Sequence, residues 1–324
     1  MKPSPQAGFA HLGILLVVGV LIVVVAIALV RQSSHPAATK PSPSASASPA
    51  AIGVLKGFSL SPRSSAAADF TGFFAQASSA GAGAVTWAGD WNELGSASGA
   101  AHTVAALGKQ YHYEPVIEVT AFRDSGGSLV PIRPLTTAQI STYAQQAASF
   151  AATNHLKYLG LGIEVNRIYA TSPASFNTFV DLFNQSAAAI KAASPSTQVF
   201  TTFQLEQLRG LTGGLSGAKS VTPQWGLLDR FAAADFLAFT TYPSVYFHHP
   251  GDVPASYYAD ITAHTIKPVA FSEIGWPSQT PAAGWTATPQ EQAGFITLFG
   301  QLTTSLNPTF IIWSFLYDPA AKQP

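Results

Sequence analysis

Short apolar runs alternate with longer amphipathic stretches from residue 52 onward, and this alternation predicts strands and helices in turn. Apolar runs of roughly four to eight residues bounded by turn residues are typical of buried strands. The predicted strands span residues 54–59, 83–88, 115–121, 158–164, 198–203, 236–241, 268–272 and 310–315. The predicted helices between them span residues 66–80, 98–109, 137–154, 173–193, 224–233, 254–264 and 289–302.

The strand–helix alternation predicts an α/β fold, a parallel (β/α)8 TIM barrel, rather than separate layers of strands and helices. Phe176, Phe179, Phe183 and Ile190 recur at helical spacing and give one predicted helix a single apolar face. The chain ends at Pro324, soon after the last predicted strand, so the last helix of the barrel is expected to be missing. Either a truncated chain or an N-terminal segment that fills the gap would account for this.

The N-terminal part has two segments that differ in composition from the barrel. Residues 13–30 are apolar without a charged side chain, and roughly 20 such residues span a bilayer as a helix, whereas the apolar core of a cleaved signal is only ~7–15 residues long. Residues 1–31 are therefore predicted to be a transmembrane anchor, with a cleaved secretory signal as the alternative. Residues 32–51 are rich in Pro, Ser and Ala, which predicts a disordered linker. The barrel is assigned to residues 52–324.

Composition narrows the possible functions. The chain carries 16 basic and 16 acidic side chains, so it lacks the strong positive charge typical of nucleic-acid-binding domains, and no nucleic-acid partner is expected. It contains no cysteine, which excludes disulfides and thiolate metal sites. The part after residue 51 is close to the usual barrel size of about 250 residues, so a single barrel domain is expected there. The protein is expected to be a monomer.

Two glutamates lie at the carboxyl ends of predicted strands, where barrel enzymes carry their chemistry. Glu164 follows Leu-Gly-Leu-Gly-Ile, and Glu273 follows Pro-Val-Ala-Phe-Ser. The fourth and seventh strands lie across the barrel mouth, so the two carboxyls are expected to face each other over a cleft. Carboxyls about 5–5.5 Å apart suit retaining glycoside hydrolysis. The structural alternatives are an ion pair between Glu164 and Arg167, and a turn capped by Glu273.

The sequence Ser-Glu-Ile-Gly-Trp-Pro-Ser at residues 272–278 resembles the nucleophile motif Ser-Glu-Thr-Gly-Trp-Pro-Ser of endo-β-1,3-glucanases. Similar Glu-x-Gly-Trp-Pro sequences occur in endo-β-1,4-galactanases, and these enzymes belong to clan A of the retaining glycosidases, which are (β/α)8 barrels. The resemblance covers about residues 52–318. It implies that Glu273 is the nucleophile and that Glu164, on the fourth strand, is the acid/base.

Aromatic and amide side chains at other strand ends complete the predicted site. The resemblance implies that Tyr242 lies beside the nucleophile and that Trp313 lies under the sugar at the cleavage site. Aromatic rings suit sugars because their faces cover apolar C–H patches, although such rings are also ordinary core residues. Weaker candidates for substrate contact are Trp276, Asn166, Trp87 and Gln204.

One position departs from the resembled pattern. Clan A usually has Asn directly before the acid/base, where it binds the sugar 2-hydroxyl, but this chain has Ile163 there, and Asn166 is the candidate replacement. Ile163 favours an alternative function, a catalytically inactive carbohydrate-binding barrel. A barrel aldolase would need a lysine for a Schiff base, and the strand-edge lysines Lys56 and Lys157 are peripheral.

The sequence thus predicts a retaining β-glycosidase that hydrolyses a polysaccharide or oligosaccharide. The N-terminal helix is expected to hold the barrel at the cell membrane, outside the cytoplasm, with secretion as the alternative. No metal or organic cofactor is expected, because the two-carboxylate reaction needs none. The adjacent residues His248 and His249 are not expected to bind a metal, because the side chains of adjacent residues diverge and no third ligand is evident.

Overall fold

Eight parallel strands close into a barrel in the computed structural model, which describes residues 53–126, 128–213, 219–280 and 287–317. Neighbouring strands in the ring are neighbours in the sequence, and the first strand pairs with the eighth through Leu55 and Phe310. This arrangement confirms the predicted parallel α/β barrel. In chain order, the barrel strands are Leu55–Ser59, Ala84–Asp90, Glu114–Thr120, Tyr158–Leu161, Gln198–Gln204, Phe236–Thr241, Val269–Ile274 and Phe310–Trp313.

Helices and short 3-10 turns connect the barrel strands. Two predicted helices are wrong: the structure has only 3-10 turns at Trp225–Phe231 and Ala259–Ala263. In the first turn Leu228 and Phe231 are buried, and residues three apart eclipse in 3-10 geometry, so one short turn is enough to bury both. The α-helices are Ala67–Ser79, Ala100–Tyr111, Thr137–Asn154, Val165–Thr171, Pro173–Ala193, Leu205–Leu208 and Pro289–Thr303.

Side-chain caps mark the beginnings of three long helices. The hydroxyls of Thr136, Ser172 and Thr288 each accept a hydrogen bond from the backbone N–H three residues later. Pro173 and Pro289 occupy the first helical position of the last two helices, where a missing N–H costs nothing. Each cap stabilises its helix by about 1 kcal/mol.

Apolar residues fill two layers of the barrel. The predicted face of Pro173–Ala193 is confirmed, because Phe176, Phe179, Phe183 and Ile190 are all fully buried. Inside the amino-terminal end of the barrel lies a separate cluster of aromatic rings contributed by the fourth, fifth, sixth and eighth strands. Its members include Tyr158, Phe200, Phe236 and Phe310, and the rings of Phe200 and Phe236 stack at 4.8 Å. Aromatic rings thus fill the amino-terminal end of the barrel, and the polar side chains of the site lie at the other end.

No helix within the described ranges is long and apolar enough to span a membrane. The predicted anchor at residues 13–30 and the predicted linker at residues 32–51 lie outside the described residues. The chain after residue 317 also lies outside them, so the expected absence of a last helix stays a prediction.

Candidate active site

A cleft at the carboxyl-terminal end of the barrel contains both predicted carboxyls. Glu164 and Glu273 line this cleft together with Asp124 and Arg167, and both glutamates are almost fully buried. The cleft has about 540 Å³ of unfilled space, part of which is open to solvent. Its remaining walls are largely apolar and come from Ala88, Gly89, Thr120, Phe122, Leu129 and Ile163.

Glu164 lies beyond its strand rather than within it, which corrects the predicted strand 158–164. The fourth strand ends at Leu161, and Glu164 precedes the helix Val165–Thr171 in a left-handed conformation, with φ of 50°. Such a conformation costs a non-glycine residue on the order of 1 kcal/mol and is often found at functional sites. Gly162, with φ of 90°, turns the chain out of the sheet just before it.

The carboxylate of Glu164 is held from two sides. Arg167 Nη1 donates to Glu164 Oε2 at 3.0 Å, and Thr240 Oγ1 donates to Oε1 at 2.7 Å. The other amino group of Arg167 donates to Asp124 Oδ2 at 2.9 Å. The ion pair that the sequence offered as a structural alternative is therefore present, and one arginine links two carboxylates of the cleft.

Glu273 has a different environment. Its carboxyl Oε2 accepts a hydrogen bond from the Tyr242 hydroxyl at 2.6 Å, and that hydroxyl also lies 2.6 Å from Ser314 Oγ. Burial, reinforced by the charge of Glu164, raises the pKa of Glu273 to about 8, although the Tyr242 hydrogen bond acts in the opposite direction. Burial and the nearby Glu273 charge raise the pKa of Tyr242 well above its ordinary value, so the phenol keeps the proton that it donates.

A third carboxyl, Glu118, lies at the same end of the barrel interior. It is buried in the third strand and accepts a hydrogen bond from Thr202 Oγ1 at 2.8 Å. Burial is the main cause that raises the pKa of Glu118 to about 7, and the charge of Glu164 adds to it. Within the described part of the chain, no three His, Cys, Asp or Glu side chains are grouped so that they could hold a metal ion.

The predicted amide contacts pair with each other. Asn166 is fully buried; its Nδ2 donates to the Gln204 carbonyl and its Oδ1 accepts from the Gln204 N–H, both at 2.9 Å. The side chain of Gln204 bonds Glu206 and the N–H of Gln207. These bonds fasten the helix Val165–Thr171 to the end of the fifth strand, so a sugar contact by either amide requires a rearrangement and stays a prediction.

The three candidate tryptophans differ in exposure. Trp276 is 3% exposed and packs against Phe295 at 5.1 Å, while Trp87 is 2% exposed. Their indole N–H groups are buried and have no hydrogen-bond partner among the described residues. Trp313 in the eighth strand stays partly exposed but does not belong to the lining of the cleft, so its role as a sugar platform stays a prediction.

Three further polar residues lie around the carboxyls and were not predicted from the sequence, namely Thr240, Ser314 and Asp124. Thr240 had a signal, because it lies two residues before Tyr242, and alternate residues of a strand point to the same face. Ser314 directly follows Trp313, and a strand-end position was its only signal. Asp124 had none, because the hairpin that carries it, with strands Phe122–Ser125 and Ser128–Pro131, was not predicted.

Several solved structures that are similar to this chain are glycosidases with low sequence identity. The exo-β-1,4-mannosidase Op5Man5 from Opitutaceae bacterium strain TAV5 is 16% identical with a TM-score of 0.61, and the match covers 83% of this chain and 53% of the mannosidase. A GH53 catalytic domain from Ignisphaera aggregans is 13% identical with a TM-score of 0.56, covering 82% of this chain and 86% of that domain. This chain has the fold of the clan A glycosidase barrels.

A β-D-glucuronidase from Dictyoglomus thermophilum is also similar, at 12% identity and a TM-score of 0.53, covering 84% of this chain and 45% of the glucuronidase. The chain thus spans about half the length of the mannosidase and less than half of the glucuronidase. No protein-family model and no curated protein matches the sequence. The predicted resemblance to clan A is confirmed for the fold, and the roles of the individual site residues stay predictions.

Proposed function

We propose that this chain is a retaining glycoside hydrolase that acts on a polysaccharide or oligosaccharide. One observation carries the proposal: Glu164 and Glu273 line the same cleft at the carboxyl-terminal end of the barrel. The hydroxyl of Tyr242 bonds Glu273, which suits a carboxylate that must be fixed in place to attack. The glycosidase fold of the chain makes this chemistry the first to consider, and the cleft supplies both groups that it needs.

The proposed reaction is a double displacement. In the first step the carboxylate of Glu273 attacks the anomeric carbon, the glycosidic bond breaks, and the leaving oxygen takes a proton from Glu164. This step forms a glycosyl ester on Glu273. In the second step Glu164 accepts a proton from water, the water oxygen attacks the same carbon, and the ester bond breaks. The product keeps the configuration of the substrate.

The reaction needs one proton on the carboxyl pair, on Glu164. The raised pKa of Glu273 instead favours a proton on Glu273, and Glu164 is in contact with Arg167. Substrate binding must therefore transfer that proton to Glu164 and release its ion pair. Arg167 also forms an ion pair with Asp124, so its guanidinium keeps a carboxylate partner after the ion pair with Glu164 is broken.

Substitution of the two glutamates tests the proposed roles. Glu273→Gln removes the attacking group and should lower kcat on every β-glycoside by about 10³-fold or more. Glu164→Gln should lower kcat/KM strongly on oligosaccharides but little on dinitrophenyl glycosides, because that leaving group needs no proton in the first step. Its kcat should fall on both classes of substrate, because hydrolysis of the glycosyl ester still needs Glu164 as the base. Turnover with laminarin, galactan, mannan and xylan and with aryl glycosides measures both effects, and NMR of the first product anomer reports retention.

Asp260→Asn is the matched control, since Asp260 pairs with Arg209 and does not line the cleft. It should keep wild-type kcat on every substrate. Unchanged turnover by Glu273→Gln would reject the nucleophile, and inversion of configuration would reject the double displacement.

A carbohydrate-binding barrel without catalysis is the second candidate. Two observations favour it: the ion pair that occupies Glu164 and the apolar side chain of Ile163 in the cleft. Calorimetry with the oligosaccharides of the same panel separates the candidates. Binding without release of reducing sugar supports the second candidate, and turnover supports the first.

The proposed location is the outer side of the cell membrane, with residues 13–30 as the anchor and residues 32–51 as a tether. This location gives the barrel access to extracellular polysaccharide. Membrane fractionation of the full chain and of a chain lacking residues 1–31 tests it, since only the full chain should sediment with membranes.

A further inference from the structure

A buried carboxylate outside the cleft contacts the main chain that carries Tyr242. Glu206 lies in the short helix Leu205–Leu208 after the fifth strand and is fully buried. It forms no ion pair with any Lys or Arg in the described ranges, and burying an unpaired carboxylate is costly unless donors satisfy it.

Hydrogen-bond donors surround both oxygens of Glu206. Oε1 accepts from Thr241 Oγ1 at 2.6 Å, from the Tyr242 N–H at 3.1 Å and from the Tyr257 hydroxyl at 3.1 Å. Oε2 accepts from Gln204 Nε2 at 2.9 Å. Two of these donors are consecutive residues at the end of the sixth strand, so the carboxylate fixes the backbone where the chain leaves the barrel.

The ring of Tyr242 continues from that fixed point to the reacting carboxyl. It packs against Gly275, where an added Cβ would come within 2.8 Å of the ring, and its hydroxyl reaches Glu273 at 2.6 Å. A shift of the Tyr242 main chain would therefore lengthen the hydrogen bond to Glu273. The described contacts connect Glu206 to Glu273 through one residue.

We infer that Glu206 is a positioning residue that holds Tyr242 in hydrogen-bonding contact with Glu273. The inference rests on the proposed function only in taking Glu273 as the reacting carboxyl. The protonation of Glu273 reports the contact directly, because the Tyr242 hydrogen bond lowers its pKa. This readout needs no turnover, so the inference and the proposed function can fail separately.

The experiment is a ¹³C NMR titration of Glu273 in the full chain. Glu206→Ala leaves the Tyr242 N–H without its acceptor, and the midpoint of Glu273 should rise by about 1 pH unit. Glu206→Gln keeps an oxygen that faces the same donors, so its midpoint should stay within about 0.3 unit of wild type. If Glu206 acted through its charge alone, both variants would lower the midpoint, since a neighbouring negative charge raises a carboxyl pKa.

A double-mutant cycle tests whether the effect passes through Tyr242. Tyr242→Phe should raise the midpoint by about as much as Glu206→Ala, and the two changes together should raise it no further. Other titratable groups act on Glu273 from the third strand, Glu118, and from the loop after the fourth, Glu164. Both stay unchanged in every variant, so they do not alter the comparison.

The matched control is Tyr257→Phe, which removes another donor to the same Glu206 oxygen without touching Tyr242. Its midpoint should equal that of wild type even if it loses stability. If Glu206→Ala does not fold, Glu206→Asp, which is one methylene shorter, should raise the midpoint instead. Three results would each overturn the inference. They are an unchanged Glu273 midpoint in Glu206→Ala (or in Glu206→Asp, where Ala does not fold), additive shifts for Glu206→Ala and Tyr242→Phe, and a shifted midpoint in Tyr257→Phe.

Discussion

At the scale of single residues, the burial of Glu273 makes the free energy of unfolding depend on pH. A carboxyl with a higher pKa in the folded chain than in the unfolded chain binds its proton more tightly when folded. The proton on Glu273 therefore stabilises the folded chain. This stabilisation is complete below the ordinary pKa of 4.5 and is lost as the pH rises through about 8. Glu118 and Glu206, whose pKa values burial raises to about 7, act in the same direction.

Glu273→Gln should therefore stabilise the protein at high pH and not at low pH. A glutamine resembles the protonated glutamate, so the variant should match wild type near pH 4 and gain on the order of 5 kcal/mol by pH 9. Urea unfolding of both proteins between pH 4 and 9 measures the difference. Asp260→Asn, which removes a carboxylate paired with Arg209, should gain no stability as the pH rises, and the absence of such a gain in Glu273→Gln would contradict the prediction.

The sequence located the two carboxyls and Tyr242 because strand ends are visible in the hydrophobic pattern. It did not reveal how Glu164 is oriented, since that depends on the left-handed turn after Leu161 and on contacts with Asp124 and Thr240. Those partners come from distant parts of the chain, and no local pattern records such contacts.

At the scale of elements, the turn between the fourth strand and the helix Val165–Thr171 places the site. Gly162 begins this turn with φ of 90°, and a Cβ there would lie 2.3 Å from the Phe179 ring. The same turn carries Glu164 away from the sheet and into the cleft. The position of the carboxyl thus depends on a residue without a side chain.

Gly162→Ala should destabilise the fold by more than about 2 kcal/mol, because it adds both backbone strain and a clash in the core. The matched control is Gly294→Ala in the exposed face of the helix Pro289–Thr303, where a Cβ meets nothing within 4 Å. The control should gain up to about 1 kcal/mol from helix propensity. Chemical denaturation measures both variants, and equal effects at the two glycines would contradict this account.

Long elements with a strong periodicity of apolar residues were predicted well, whereas short elements were not. The helix Thr137–Asn154 matches its prediction at both ends, whereas the turns at Trp225–Phe231 and Ala259–Ala263 were predicted as longer helices. A few apolar residues satisfy either a 3-10 turn or a helix, and tertiary packing decides between them. The hairpin that carries Asp124 has strands of four residues each, too short for an alternating pattern to stand out.

At the scale of the whole molecule, charge is balanced overall but not in the cleft. The chain has 16 acidic and 16 basic side chains, while the cleft lining has the carboxyl groups of Asp124, Glu164 and Glu273 and the single cation Arg167. Even with a proton on Glu273, as its raised pKa favours, the other two carboxyl groups outnumber the arginine. Both amino groups of that arginine already bond carboxylates. A carboxylate on a bound sugar would therefore meet negative charge without a cation in the lining to receive it.

Uncharged glycosides should accordingly be better substrates than uronic acid glycosides. We expect kcat/KM for an aryl β-glucoside, mannoside or galactoside to exceed that of the aryl β-glucuronide by at least about 10-fold, which corresponds to one like-charge contact of about 1.4 kcal/mol. Asp124→Asn removes one carboxylate from the cleft lining, so it should reduce the ratio of kcat/KM between the uncharged glycosides and the glucuronide. Equal rates on both classes of glycoside would contradict the prediction.

The ring of strands is completed by a seam between Leu55–Ser59 and Phe310–Trp313, which are the first and last barrel strands in sequence order. During synthesis the first seven strands exist before the eighth, and until then the sheet has two open edges that can pair with other chains. Closure brings together residues far apart in sequence, which makes folding slow. The protein is therefore most exposed to aggregation in the interval before its final strand arrives, and a chaperone that shields those edges would act in that interval.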